Sequence, residues 1–149
     1  MSEQITIHGH QGRLDLRIVG YERPESRDSD DANWLTSEAT IKMGAFTGAF
    51  RCALTTLDIR TSYESLKKSI ATVQGTAYFR TTEKDIDIEI RFDNRGSAVV
   101  RGTISPQASL EASLTFRLDT DQSYLLQTMQ QLEATLRVFP AKQYHQPSL

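Results

Sequence analysis

Asp85-Ile86-Asp87-Ile88-Glu89-Ile90-Arg91-Phe92 alternates charged and apolar side chains without a break. Successive side chains of a strand point to opposite faces, so this period of two sets Ile86, Ile88, Ile90 and Phe92 on one side. The carboxylates of Asp85, Asp87 and Glu89 are then expected as a row on the other. Asp93-Asn94-Arg95-Gly96 follows with the chemistry of a hairpin connection. Beyond it the same rhythm returns at Ala98, Val100 and Ile104, then at Leu110, Ala112, Leu114, Phe116 and Leu118. Upstream, Gly75 to Thr81 reads as a further strand, ended by a polar turn around Thr82 to Asp85. The N-terminal half repeats the pattern at Ile5 and Ile7; at Leu14, Leu16 and Ile18; at Leu35, Ala39, Ile41 and Met43; and at Phe46, Phe50, Cys52 and Leu54. Strands with one apolar and one wet face indicate antiparallel sheet.

Two segments depart from that rhythm. Tyr63, Leu66, Ile70 and Val73 recur every three or four residues, which predicts a helix from Thr61 to about Val73. Thr61 and Glu64 have the spacing of a capping box. Leu125, Met129, Leu132 and Leu136 predict a second helix from about Asp121 to Val138, capped by Asp119 or Thr120 and stopped by Pro140. Both helices follow a Leu-Asp-x-x-x-Ser-Tyr string, at Leu57 and at Leu118. Aligned on that string the upstream strands fall out of phase, so it reads as shared capping chemistry at two strand-to-helix junctions. The expected fold is α+β: about eight mainly antiparallel β strands, as a curled sheet or sandwich, with two amphipathic helices packed on it. Helices follow runs of strands instead of alternating with them, which disfavours a parallel sheet.

The 149 residues suit one domain, 1–149, with 141–149 expected to fray because it has no periodic apolar pattern. Lys and Arg number 17 against 19 Asp and Glu, a formal charge of −2, which argues against a general nucleic-acid binder. No apolar run reaches the ~18 residues of a membrane helix. The start lacks a signal peptide's basic and apolar regions, so a cytoplasmic location is expected. A single cysteine, Cys52, excludes an internal disulfide.

Few residues suggest chemistry. His8 and His10 would share one side of a strand, but no third metal ligand follows at an obvious spacing, and exposed histidines are the simpler reading. His145 falls in the fraying tail. Cys52 lies in phase with apolar neighbours, which predicts a buried, inert thiol. No phosphate loop, nucleophile elbow or zinc helix motif occurs, so no catalytic residue, metal or cofactor is expected. Two acidic features remain. One is the row of Asp85, Asp87 and Glu89, which Arg91, Arg101 or Arg117 can balance. The other is the loop from Glu22 to Asp31, with Glu22, Glu25, Asp28, Asp30 and Asp31 against Arg23 and Arg27. Each is either a solvated surface or a surface for a basic partner. Trp34 is either a half-exposed interface anchor beside that loop or a side chain packed under a helix.

Gly20-Tyr21-Glu22-Arg23-Pro24, the acid-rich loop, and Asp31-Ala32-Asn33-Trp34-Leu35 are followed by Phe46-Thr47-Gly48-Ala49-Phe50 and a helix over Thr56 to Leu66. Tyr78-Phe79 through Glu83 adds an aromatic-then-acidic stretch. Together these resemble the WapI-type immunity-protein family of bacterial polymorphic and contact-dependent toxin systems. That family commonly has Thr-Trp-Glu where this chain has Thr56-Leu57-Asp58. The resemblance implies a non-catalytic protein, without cofactor, that binds and neutralises a cognate toxin domain, commonly a nuclease. The partner-binding residues expected are Glu22, Glu25, Asp28, Asp30, Asp31, Trp34, Asp85, Asp87 and Glu89, with no direct contact to nucleic acid or membrane. The alternatives are a self-associating structural or regulatory module, such as a homodimer, and an enzyme with a metal at His8, His10 or the carboxylate row.

Overall fold

The computed structural model describes residues 3–107 and 112–144. Four strands, β1 (Glu3–Gly9), β2 (Gly12–Tyr21), β3 (Trp34–Met43) and β4 (Phe46–Thr55), form one sheet in chain order. A four-residue helix, α1 (Ser29–Ala32), interrupts the link between β2 and β3, and α2 (Thr56–Thr72) follows β4. Then β5 (Gly75–Arg80), β6 (Ile86–Phe92), β7 (Ser97–Ile104) and β8 (Leu114–Asp121) form a second sheet, also in chain order, followed by α3 (Gln122–Val138). Every pairing is antiparallel. The fold is α+β, as the alternation indicates. Leu110 and His145 lie outside the described residues.

The inner faces carry most of the predicted apolar sets, but Phe46 at the start of β4 and Ala112 ahead of β8 are exposed. In the second sheet Ile86, Ile88, Ile90, Val100 and Leu118 are sealed; in the first, Leu16, Ile18, Leu35 and Leu54 are. Leu125 and Leu132 of α3 and Ile59 and Leu66 of α2 complete one continuous core. Each such side chain contributes about 1.5–3 kcal/mol on burial. The first half of the chain is joined to the second sheet where His10 N–H donates to the Asp119 carbonyl at 3.0 Å. A Cβ on the neighbouring Gly9 would sit 2.4 Å from that same oxygen, so only glycine fits there.

α2 starts where the resemblance places a capped helix, and α3 close to Asp121 as the periodicity predicts, but the periodicity-based start of α2 and both caps differ. α2 begins at Thr56, and its capping box is Thr55 with Asp58, not Thr61 with Glu64. Thr55 Oγ1 accepts from Asp58 N–H at 3.0 Å while Asp58 Oδ2 accepts from Thr55 N–H at 3.0 Å. The apolar stripe starts one turn earlier than Tyr63, at buried Ile59. Asp121, not Asp119 or Thr120, caps α3, accepting from Ser123 N–H at 2.9 Å and Tyr124 N–H at 3.2 Å. The two Leu-Asp-x-x-x-Ser-Tyr strings therefore fall on unequal places: Asp58 lies inside α2, Asp119 in β8. The arrangement of elements nonetheless repeats, four strands and a helix, twice. Each helix also covers the first strand of the other half. Ser65 Oγ of α2 accepts from Tyr78 N–H at 3.1 Å and donates to Tyr78 O at 3.3 Å. Gln131 Oε1 of α3 accepts from Thr6 N–H at 2.8 Å, and Thr128 Oγ1 donates to Thr6 O at 2.6 Å. Polar helix side chains thus satisfy strand edges that would otherwise be open.

Candidate functional site

The loop between β2 and β3 is more ordered than its composition suggests. Glu22 N–H donates to the Trp34 carbonyl at 2.9 Å, which closes the loop at its base. Asp28 caps α1 by accepting from Asp30 N–H at 2.9 Å. Asp31 is half-buried, with Arg23 at 3.4 Å. Glu22, Glu25, Asp28 and Asp30 are exposed, and the side chains of Glu22, Glu25 and Asp30 meet no cation among the described residues. Trp34 is half-buried at the start of β3, on the opposite side from sealed Leu35.

The expected row at Asp85, Asp87 and Glu89 is broken at its first member. Asp87 and Glu89 do face away from the core, but Arg80 holds Asp87 at 2.8 Å and Arg91 holds Glu89 at 3.0 Å. Arg101 stands opposite Glu89 on β7, and Arg117 reaches Asp119 at 3.0 Å. Asp85 precedes β6, so the alternation does not govern it. It is only 3% exposed, and its Oδ1 has no hydrogen-bond partner. A sealed, unpartnered acceptor costs about 1–3 kcal/mol.

Asp85 joins an unexpected neighbour. A cavity of about 390 Å³ runs beside β4, walled by Glu22, Arg51, Cys52, Glu83, Asp85 and Gln107 among others. Glu22 from the acidic loop and Asp85 from the carboxylate row, far apart in the chain, therefore share one site. The loop that carries Glu83 and Asp85 is held firmly. Asp58 accepts from Thr82 N–H at 3.0 Å and from its hydroxyl at 2.8 Å, Gln107 Nε2 donates to the Glu83 carbonyl at 3.0 Å, and Ser105 N–H donates to the Asp85 carbonyl at 2.8 Å. Arg51 and Gln107 have no role in the sequence reading, and Glu83 enters it only as the end of the aromatic-then-acidic stretch. Thr82 to Asp85 reads only as a polar turn, and nothing local places it against β4.

Burial pushes the Cys52 thiol up to about 12, and the charge of nearby Asp85 adds to this. It is a protonated core group, not a nucleophile. His8 packs its ring on Tyr124, 4.2 Å between centroids, while His10 lies beyond β1 in the turn to β2. Among the described residues no three His, Cys, Asp or Glu side chains are placed to hold a metal ion.

The sequence pattern of the Immunity protein WapI-like family matches residues 4–140. The chain belongs to this family. None of the curated proteins matches it in sequence. Among solved structures, a crystal structure of Trypanosoma bruciei MRP1/MRP2 is similar over 92% of this chain and 84% of that one, at 9% identity and a TM-score of 0.48.

In this WapI-like chain the strings that carry the resemblance have a structural task. Tyr21 OH donates to the Pro140 carbonyl, the Tyr21 ring meets Phe139 edge-on at 5.6 Å, and Lys142 Nζ lies 3.8 Å from its centre. Asn33 Nδ2 donates to Lys142 O at 2.8 Å while its Oδ1 accepts from Lys142 N–H at 2.7 Å. Ser29 Oγ accepts from Tyr144 N–H at 3.1 Å. Residues 141–144, where fraying is expected, meet the segment from Ser29 to Asn33 through these bonds, made by backbone and polar groups that leave no apolar period. Residues 145–149 lie outside the described residues. No helix is long and apolar enough to cross a membrane among the described residues.

Proposed function

We propose that this chain neutralises a protein toxin by binding it directly, without catalysis or cofactor, through its acidic surface, in the cytoplasm. Family membership supports an immunity role. The observation that carries the acidic placement is the loop from Glu22 to Asp31, where the exposed carboxylates of Glu22, Glu25 and Asp30 meet no cation among the described residues, although Arg23 pairs with Asp31. A free acidic surface accelerates encounter with a basic domain and fixes its orientation. Glu22, Glu25, Asp28, Asp30 and Asp31 provide that surface, with Trp34 as an adjoining anchor and Asp85 at the cavity beside Glu22. Asp87 and Glu89 contribute less, because a partner must first displace Arg80 and Arg91.

The test is protection. Cells expressing a cognate toxin domain, sought among the genes adjacent to this one, should survive only when this chain is co-expressed, and the two proteins should co-purify. Survival without co-purification, or death despite full expression of this chain, contradicts direct neutralisation.

One observation favours a second reading, self-association. β4 is an edge strand, and its first half, Phe46-Thr47-Gly48-Ala49-Phe50, carries no charge and leaves Phe46 exposed. Such edges lack the usual protection against pairing with another strand. Light scattering of the isolated chain decides between a monomer and a dimer.

A further inference from the structure

The cavity beside β4 holds an incomplete set of interactions. Three carboxylates, Glu22, Glu83 and Asp85, wall it, against one cation, Arg51. Arg51 is exposed and makes no hydrogen bond or ion pair among the described residues. Asp85 is sealed into the wall with Oδ1 unpartnered, whereas buried polar atoms are normally paired. The surrounding loop is fixed by Asp58, Gln107 and Ser105, so it does not rearrange easily to supply a donor. The cavity therefore holds more negative than positive charge, and the Asp85 carboxylate on its wall lacks a donor.

We infer that this cavity is a socket for an arginine side chain presented by the partner protein, its guanidinium donating to Asp85 and balanced by Glu83 and Glu22. A guanidinium suits the place better than an ammonium. It is planar, carries five donors, and is more weakly hydrated, so it gives up less on entering a partly closed site. Arg51 stands at the same cavity without pairing with these carboxylates, and its charge opposes that of an incoming guanidinium. This deepens the toxin-binding reading and rests on it for the identity of the partner, although the chemistry of the socket is testable without a toxin.

The experiment is a titration of the full chain, amide-labelled, with L-argininamide, followed by NMR at constant ionic strength. Saturable shifts are expected at Glu83, Asp85 and Ser105, with lysinamide at least threefold weaker. Asp85→Asn should abolish them. Glu83→Gln, on the exposed side of the loop, should weaken them at least threefold and serves as the second variant should Asp85→Asn not fold. Arg51→Gln should tighten binding by removing a like charge from the cavity wall. Absence of saturable shifts, equal shifts with lysinamide, or shifts unchanged by Glu83→Gln overturns the inference. A blank titration with intact protection in cells removes the socket but leaves neutralisation standing. A positive titration with no protection leaves the socket and removes the toxin reading.

Discussion

The side-chain amide of Asn33 pairs with both backbone groups of Lys142, donating at 2.8 Å and accepting at 2.7 Å. It mimics a strand partner and joins the acidic loop to the chain that leaves α3. Thr56 Oγ1 also donates to Asn33 Oδ1 at 3.1 Å, so one side chain ties three segments. Asn33→Ala removes these bonds. A loss of about 1–2 kcal/mol is expected from two or more net hydrogen bonds. Hydrogen exchange at the Lys142 and Tyr144 amides should accelerate in the variant, with the core of the second sheet unchanged. Equal exchange in both proteins contradicts the clamp.

Val73 ends α2 in the left-handed region, at φ 51°. A β-branched residue is strained there, and glycine is the ordinary occupant of such a position. Val73→Gly should raise stability by about 0.5–1 kcal/mol, read as a higher urea midpoint at unchanged slope. A lower midpoint means that contacts of the half-buried valine outweigh the backbone strain.

Cys52 should resist a thiol reagent at pH 8 in the folded protein and react at once in denaturant. Its value of about 12 lies above that of an unfolded thiol near 8.5. A raised folded value means that stability is complete below the unfolded value and declines as pH rises towards the folded one. Rapid labelling of native protein contradicts the sealed placement.

The acid side runs the other way. Hydrogen bonds from the Ser123 hydroxyl and the Tyr124 N–H hold the Asp121 carboxyl below the usual carboxylate range. Gln11 and Arg117 do the same for Asp119. A lowered folded value gives stability that is present above the unfolded value near 4 and is lost as pH falls through the folded value. The urea midpoint should hold from pH 7 to about 5 and drop below about 4. Asp121→Ala should cost about 1 kcal/mol at pH 7, the usual loss for an N-cap, and give a shallower acid limb. An acid limb identical to that of the parent contradicts the assignment.

The strands and both long helices are legible because their apolar residues recur at periods of two and of three to four. Ile86 to Phe92 shows why this works: one face must be sealed, and the sealed face is the isoleucine face. The same rule stops at Asp85, one residue before the strand, where tertiary packing takes over. Periodicity alone starts α2 one turn late, because Thr55 and Asp58 satisfy the capping geometry as well as Thr61 and Glu64 do. Only packing of Ile59 and anchoring of Thr82 by Asp58 select the earlier start. The family strings are legible as strings, whereas their task is not, since Tyr21 and Asn33 act on backbone more than a hundred residues away in the chain. The cavity that brings Glu22 to Glu83 and Asp85 has no local signature for the same reason.

The most direct measurement is calorimetric titration of this chain with a purified toxin domain against which it protects cells, repeated with Glu22→Lys, with Glu25→Lys and Asp30→Lys together, and with Asp85→Asn. The account predicts a one-to-one complex that weakens at least tenfold on charge reversal of the loop and weakens further as salt rises. A complex of undiminished affinity in every variant contradicts it.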